Sequence, residues 1–239
     1  MTIEEFIQEL QKLNISLTNE QIDQFEKYYL FLIQYNQKVN LTRITEKEEV
    51  YLKHFYDSIL IYKLWPYFGK DKVNLCDVGS GAGFPSIPLK IIFPNLKVTI
   101  VDSLNKRIMF LNELCKQLNL KYVSLVHGRA EEVGHNTIYR NSFDVVTGRA
   151  LAKLSVMNEL CLPLVKVGGF LIAMKGQKAE EEIKGATNSL NVLGGQLEKV
   201  DKFYLFNTDN QRNNILIKKV KETPKKYPRK AGTPNRHPL

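Results

Sequence analysis

Nine residues constrain this chain more than any others: Asp77-Val78-Gly79-Ser80-Gly81-Ala82-Gly83-Phe84-Pro85. A β-rich run, 73–78, enters them, and a helical pattern, 84–93, leaves them. Alternating glycines allow a tight turn and a close approach of backbone to a ligand. The helix that follows presents free N–H groups at its start. Such a loop works only inside a strand–loop–helix unit, so the chain is read as an α/β protein with a ligand site at this turn.

The rest of the pattern agrees. Strand-like runs at 73–78, 97–101, 122–126, 143–147 and 169–174 alternate with helical patterns at 84–93, 103–118, 152–162 and 179–193. This alternation predicts a parallel sheet with helices on both faces. Two more runs, 196–205 and 212–220, are joined by Asn207-Thr208-Asp209-Asn210-Gln211, a polar turn with no helix in it. They predict an antiparallel hairpin that closes a seven-stranded sheet. Residues 1–65 read as a helical cap. Thr2 with Glu5 and Thr18 with Gln21 make capping boxes. Ile22, Phe25, Tyr29, Leu32 and Val39 form the stripe of a long helix, and Thr45 with Glu48 opens a third helix bearing Leu52, Phe55, Ile59 and Tyr62. Residues 66–220 form the α/β domain. The tail, 221–239, holds four of the nine prolines, so it is expected to run extended, on the domain or on a partner.

Charge narrows the partners. The chain has 34 basic and 25 acidic residues, net +9, yet residues 1–60 hold six basic and ten acidic groups. The excess lies in the body and in the tail, which has six basic residues and one acidic. A polyanionic partner fits this asymmetry, with Lys106, Arg107, Lys225, Lys226, Arg229 and Lys230 as candidate RNA contacts. The start, Met1-Thr2-Ile3-Glu4-Glu5, is acidic and lacks an apolar run behind it, so no signal peptide is expected. No stretch approaches ~18 consecutive apolar residues, so no membrane span is expected. Cys76, Cys115 and Cys161 are scattered and odd in number, which predicts buried free thiols in the cytoplasm and no metal site.

The residues around the loop narrow the ligand. The third glycine comes one residue earlier than in a dinucleotide fingerprint, and Asp77 at the loop mouth would repel a pyrophosphate. A carboxylate there suits the cationic groups of S-adenosylmethionine. Asp102 ends the second strand, where it can hold ribose hydroxyls or cap the next helix. Ala130 and Glu131 lie where an adenine edge is read, although Glu131 also suits a helix first turn. Arg149 ends the fourth strand, facing the transferred group or making a structural ion pair. No Asn-Pro-Pro-Tyr or Pro-Cys motif is present for N6-adenine or C5-pyrimidine chemistry. His54, Asp57 and Ser58 share one helix face at the seam between cap and domain, either as a catalytic group or as a hydrogen-bonded cluster. Tyr28 and Tyr29 fit the core better than a stacking platform. Arg149 and His54 are thus the catalytic candidates, and Gly79, Gly81, Phe84, Asp102, Ala130, Glu131 and Arg149 the cofactor contacts. A nicotinamide-dependent dehydrogenase remains an alternative at this point.

The glycine loop with Ser103-Leu104-Asn105-Lys106-Arg107, His54-Phe55-Tyr56-Asp57-Ser58 and Arg129-Ala130-Glu131 resembles the bacterial small-subunit ribosomal RNA methyltransferase G family, also called glucose-inhibited division protein B. The tail motifs Thr223-Pro224-Lys225-Lys226-Tyr227-Pro228-Arg229-Lys230 and Gly232-Thr233-Pro234-Asn235 extend the resemblance over the whole chain. The resemblance implies a class I (Rossmann-like) S-adenosylmethionine-dependent methyltransferase fold with an N-terminal helical cap. It implies methylation of N7 of guanine 527 in 16S rRNA, on RNA or small-subunit particles, with a ribosome-assembly protein that keeps the fold without activity as the alternative. A cytoplasmic monomer is expected. It places cofactor contacts on Gly79, Phe84, Ala130, Glu131 and Arg149. Departures are Gly148, where alanine is commoner, His127-Gly128 before Arg129, and Arg236-His237.

Overall fold

The structure is a computed structural model and describes residues 1–70 and 72–239. The cap opens with α1 (Ile3–Gln11) and α2 (Asn19–Asn36). Both capping boxes form: the Thr2 and Thr18 hydroxyls accept from the Glu5 and Gln21 amides, and those side chains accept from the cap amides in return. The apolar stripe predicts helix as far as Val39, but α2 stops at Asn36. There the side chain competes for the backbone. Asn36 Oδ1 accepts from the Leu41 and Thr42 amides at 2.7 and 3.0 Å, and Nδ2 donates to the Thr42 carbonyl at 2.9 Å.

The third cap segment departs further. Its N-cap is Glu46, without a side-chain bond, and Thr45 instead offers its carbonyl to the Tyr29 hydroxyl at 3.3 Å. One turn, α3 (Lys47–Val50), widens into a π-helix at Tyr51–Tyr56. The chain returns to α in α4 (Asp57–Ile59) and tightens to a 3-10 turn at Leu60–Lys63. Such π turns often mark functional sites, and this one carries His54 up to Asp57.

Seven strands follow: β1 (Asn74–Val78), β2 (Lys97–Asp102), β3 (Val123–His127), β4 (Phe143–Arg149), β5 (Val165–Lys175), β6 (Gly195–Tyr204) and β7 (Gln211–Lys219). Their order is β3-β2-β1-β4-β5-β7-β6. Strands β1 to β5 pair in parallel, and β7 runs antiparallel to both β5 and β6. The closing hairpin is therefore present. The connecting helices are α5 (Ser86–Ile92), α6 (Asn105–Gln117), α7 (Ala130–Val133), α8 (Leu154–Cys161), α9 (Ala179–Gly185) and α10 (Thr187–Leu193). The single helix predicted over 179–193 breaks at Ala186. Gly185 is a poor helix former, and the Thr187 hydroxyl bonds back to the Lys184 carbonyl at 3.1 Å.

The cap does not stand apart from the sheet. Phe6, Phe25, Tyr51 and Phe55 share one apolar cluster with Leu75, Val98, Val145 and Leu216 of the strands. Burying each such ring is worth roughly 1.5–3 kcal/mol, which binds the cap to one face. The other face packs Val146, Ala173 and Ile215 under α8 and α10. All three cysteines are free, with Cys76 and Cys161 buried.

The tail lies along the domain. Arg140 clamps it: Nη1 donates to the Tyr227 carbonyl at 2.8 Å and Nη2 to that of Thr223 at 2.8 Å. The Thr223 hydroxyl donates to the Leu193 carbonyl at 2.7 Å. The tail also contains α11 (Thr233–Arg236), a turn of helix that the proline content argued against. Pro234 sits in the first turn, where no N–H is needed.

Candidate active site

The chain reverses its direction of sheet growth between β1 and β4, and ligands of open α/β sheets bind at such a point, beyond the strands' carboxyl ends. The glycine loop leaves β1 there. A Cβ on Gly79 (φ +71°) would lie 2.6 Å from Leu151 Cδ1, and one on Gly83 (φ +100°) 2.8 Å from the Tyr28 hydroxyl. These two glycines pack the loop. Gly81 (φ +62°) is different, because a Cβ there would meet nothing within 4 Å. Its backbone is open to the cleft.

Asp77 corrects an expectation. It does not sit at the loop mouth but is fully buried. Oδ2 accepts from the Ser86 amide and hydroxyl at 3.2 and 2.6 Å, and Oδ1 from the Thr147 hydroxyl at 3.2 Å. Burial pushes its carboxyl up to about 6. Asp77 therefore ties β1 to β4 and to the start of α5, and holds no ligand.

Asp102 does line a cavity, of about 260 Å³, with Gly79, Gly128, Ala130 and Glu131. Its Oδ2 accepts from the Gly81 amide at 3.1 Å and Arg107 Nη1 at 3.3 Å, and Oδ1 from the Leu104 amide at 2.9 Å. The N-cap of α6 is Leu104, so Asp102 links loop to helix without being the cap residue. Arg107 lines this cleft, with about a third of its side chain exposed. Its neighbour Lys106 is exposed. Glu131 is nearly buried, and its Oε1 accepts from the Gly232 amide of the tail at 3.1 Å. Asn235 of α11 lines the same cavity. The residue pattern gave no reason to place it there.

A second cavity, about 170 Å³, shares Gly79, Arg107 and Ala150 with the first and reaches Phe84, His54 and Arg149. Arg149 is the hub of the seam. It donates to the Lys53 carbonyl at 3.0 Å, to His54 Nδ1 at 3.0 Å and to Asp57 Oδ2 at 3.5 Å, and lies 4.9 Å over the Phe84 ring. Arg212 of β7 reaches both Asp57 oxygens from Nε at 3.2 Å. Burial raises the Asp57 carboxyl against the pull of both guanidiniums.

His54 stacks on Phe84 at 4.4 Å. A guanidinium can only donate, so Nδ1 accepts from Arg149, and the ring proton sits on Nε2, which donates to Thr42 Oγ1 at 2.8 Å. Burial, reinforced by Arg149, pushes the imidazole down to about 3. Both nitrogens are engaged. Ser58, the third member of the expected cluster, turns inward and donates to the His54 carbonyl. Tyr28 is core, stacked on Phe84 at 5.5 Å, and donates to the Ala82 carbonyl. Next to Arg149, Ala150 has φ +53°, a strained conformation of the kind found at functional sites. A Cβ at Gly148 would come within 2.6 Å of Met157 Cε, so glycine there matches the packing of Met157.

Beyond Arg149 opens a third cavity of about 550 Å³, lined by Lys53, Asp57, Lys153, Lys175 and Arg212. Of the basic residues expected to meet RNA in the tail, Lys225, Lys226 and Lys230 are exposed. Arg229 is not available. It is paired with the fully buried Glu159, at 2.9 Å from Nε and 2.6 Å from Nη2.

The family model for rRNA small subunit methyltransferase G matches residues 21–213. This chain belongs to that family. The ribosomal RNA small subunit methyltransferase G of Lactobacillus helveticus is 58% identical over 239 residues, covering 100% of both chains. That of Bacillus cytotoxicus is 56% identical over 239 residues, covering 100% of this chain and 99% of its own. Among solved structures, a 16S rRNA (adenine(1408)-N(1))-methyltransferase from Catenulisporales acidiphilia superposes with TM-score 0.54 at 18% identity, over 68% of this chain and 92% of that one. M. jannaschii TYW2 in complex with AdoMet gives TM-score 0.52 at 14% identity, over 69% and 77%. At these identities the likeness shows the class I S-adenosylmethionine-dependent methyltransferase fold. The family assignment removes the dehydrogenase alternative. Among the described residues no helix is long and apolar enough to cross a membrane.

Proposed function

We propose that this family member transfers a methyl group from S-adenosylmethionine to N7 of guanine 527 in 16S rRNA, in the cytoplasm, on RNA or on small-subunit particles. The cleft fits the cofactor. Gly81 presents open backbone, Asp102 sits at a strand end beside it, and Arg107 Nε is buried at the cleft without a partner among the described residues. Gly79, Asp102, Ala130 and Glu131 would hold the nucleoside part, and Phe84 and Arg149 would border the reacting end. S-adenosylmethionine supplies an electrophilic methyl group on its sulfonium.

The observation that carries the reading is the place of Arg149, which lines both the cofactor cleft and the larger cavity beyond it. N7 of guanine has an in-plane lone pair and no proton to lose, so the site needs no general base. The seam has none to spare: His54 is neutral with both nitrogens occupied, and Asp57 is held by two arginines. What remains for the protein is to hold acceptor and cofactor in line. The guanine enters the larger cavity out of its stack, and a guanidinium can donate to its O6. Lys53 and Lys153 at the rim suit the RNA backbone.

The test is to incubate unmethylated small subunits, or their RNA, with the protein and S-adenosylmethionine, then map borohydride–aniline cleavage. Cleavage at guanine 527 is the expected result, and Gly81→Val should abolish it, because a branched side chain strains the φ +62° backbone of the loop and enters the open space in the cleft. Formation of 5-methylcytidine or N6-methyladenosine would overturn the reading.

A further inference from the structure

The tail reaches the cofactor cleft and is fastened there on purpose-built contacts. Arg140 binds its carbonyls at one end. His135 Nε2 meets the Pro228 carbonyl at 2.6 Å, and the Arg229 amide and guanidinium both reach Glu159. Glu131 then accepts from the Gly232 amide, where φ is +81°, a conformation that glycine adopts freely. That turn starts α11 and delivers Asn235 to the cleft.

Asn235 enters at a particular end. It shares the cavity with Gly128, Arg129, Ala130 and Glu131, the loop after β3, whereas Phe84 and Arg149 border the other end. Glu131 has spent one carboxylate oxygen on the tail itself. Asn235 is exposed, and it is the only carboxamide among the residues lining the cavity. A carboxamide presents a donor and an acceptor side by side, the pattern that pairs with the amino edge of adenine.

We infer that Asn235 reads the 6-amino edge of the cofactor's adenine, so that the tail is part of the cofactor site. This rests on the S-adenosylmethionine reading above. Glu131, whose other oxygen stays available to the nucleoside, then also positions Asn235 through Gly232.

The experiment is calorimetric titration with S-adenosylhomocysteine and with its analogue carrying unsubstituted purine, which lacks the 6-amino group. The wild-type chain should bind S-adenosylhomocysteine about tenfold more tightly than the analogue, as for a good amide–adenine pair. Asn235→Ala should lose that preference and bind both ligands as weakly as the wild type binds the analogue. The substitution is on an exposed residue, so thermal unfolding should be unchanged. Wild-type affinity for S-adenosylhomocysteine in Asn235→Ala, or an equal loss for both ligands, would overturn the inference alone. No binding of S-adenosylhomocysteine by the wild-type chain would overturn the cofactor reading and this inference with it.

Discussion

The cap and the tail close on the same cleft from opposite ends, and they are fastened by different chemistry. The cap meets the strand ends through charge: Asp57 stands between Arg149 and Arg212, and His54 and the Lys53 carbonyl accept from two more of the Arg149 N–H groups. The tail is held mostly through backbone: Arg140 gathers carbonyls, Glu131 takes an amide, and one ion pair, Arg229 with Glu159, pins the middle. At the cleft, a contact built on one carboxylate between two cations is lost at once when that carboxylate goes, while the apolar cluster still holds the rest of the cap. A fastening spread over several carbonyls should loosen in parts.

The largest effect is therefore expected at Asp57. Asp57→Ala leaves two partly buried guanidiniums without a counter-charge, and breaking buried pairs in this way costs about 3–5 kcal/mol. Thermal or urea unfolding should show a loss of that size. A loss below about 1 kcal/mol, typical of exposed pairs, would mean that the cap is held by its apolar core alone.

Next in size is Glu159→Ala. The carboxylate is fully buried, but the Arg229 side chain keeps about a quarter of its surface exposed and can rehydrate. A loss of about 2–3 kcal/mol is expected, just below the range for a fully buried pair. Because the tail feeds the end of the cleft proposed to hold the adenine, affinity for S-adenosylhomocysteine should fall with it. In contrast, Arg212→Ala, at the acceptor end, should leave that affinity nearly unchanged. Equal effects of the two variants on cofactor affinity would erase the distinction between the ends.

A smaller effect separates the cap through pH. The His54 imidazole is held near 3 in the folded chain against 6.5 unfolded. The unfolded chain then binds the extra proton, so this group's contribution is present above about 6.5 and declines as pH falls toward 3. Between pH 6.5 and 5 the wild type should lose up to about 2 kcal/mol that His54→Asn, which keeps an acceptor for Arg149 but does not titrate, does not lose. Urea midpoints at pH 7.5 and 5 for the two chains measure this. Parallel pH slopes would show that the ring is already charged or solvated.

The sequence made the scaffold legible because its signals are local. The capping boxes at Thr2 and Thr18, the alternation of strand and helix, the glycine loop and the polar turn before β7 each lie within a few residues, and each appears in the structure, whereas the start signal at Thr45 does not. The errors came where a tertiary contact overrode a local preference. Asp77 reads as a ligand residue from its place before the loop, but Ser86 and Thr147 draw it into the core. Arg229 reads as a surface cation until Glu159, seventy residues away in sequence, claims it. One error is local instead: Asn36 bonds the backbone five and six residues on, ends a helix that the apolar stripe would continue, and so sets Thr42 beside His54. The partners Arg212 and Asn235 were not legible at all, since both depend on how the final hairpin and tail return across the molecule.

In the proposed reaction Arg149 stands between cofactor and acceptor and holds them in line. The direct test is Arg149→Lys, which keeps a positive charge beside Asp57 but gives up the planar fork that reaches Lys53, His54 and the cleft together. Methyl transfer to small-subunit RNA would be followed under single-turnover conditions at saturating S-adenosylmethionine, with thermal unfolding measured on the same sample. The account predicts a rate at least tenfold lower, roughly 1.4 kcal/mol of lost transition-state stabilisation, in a chain that remains folded at the assay temperature. A wild-type rate in the folded variant would contradict it, leaving Arg149 as an anchor for the cap with no part in the transfer.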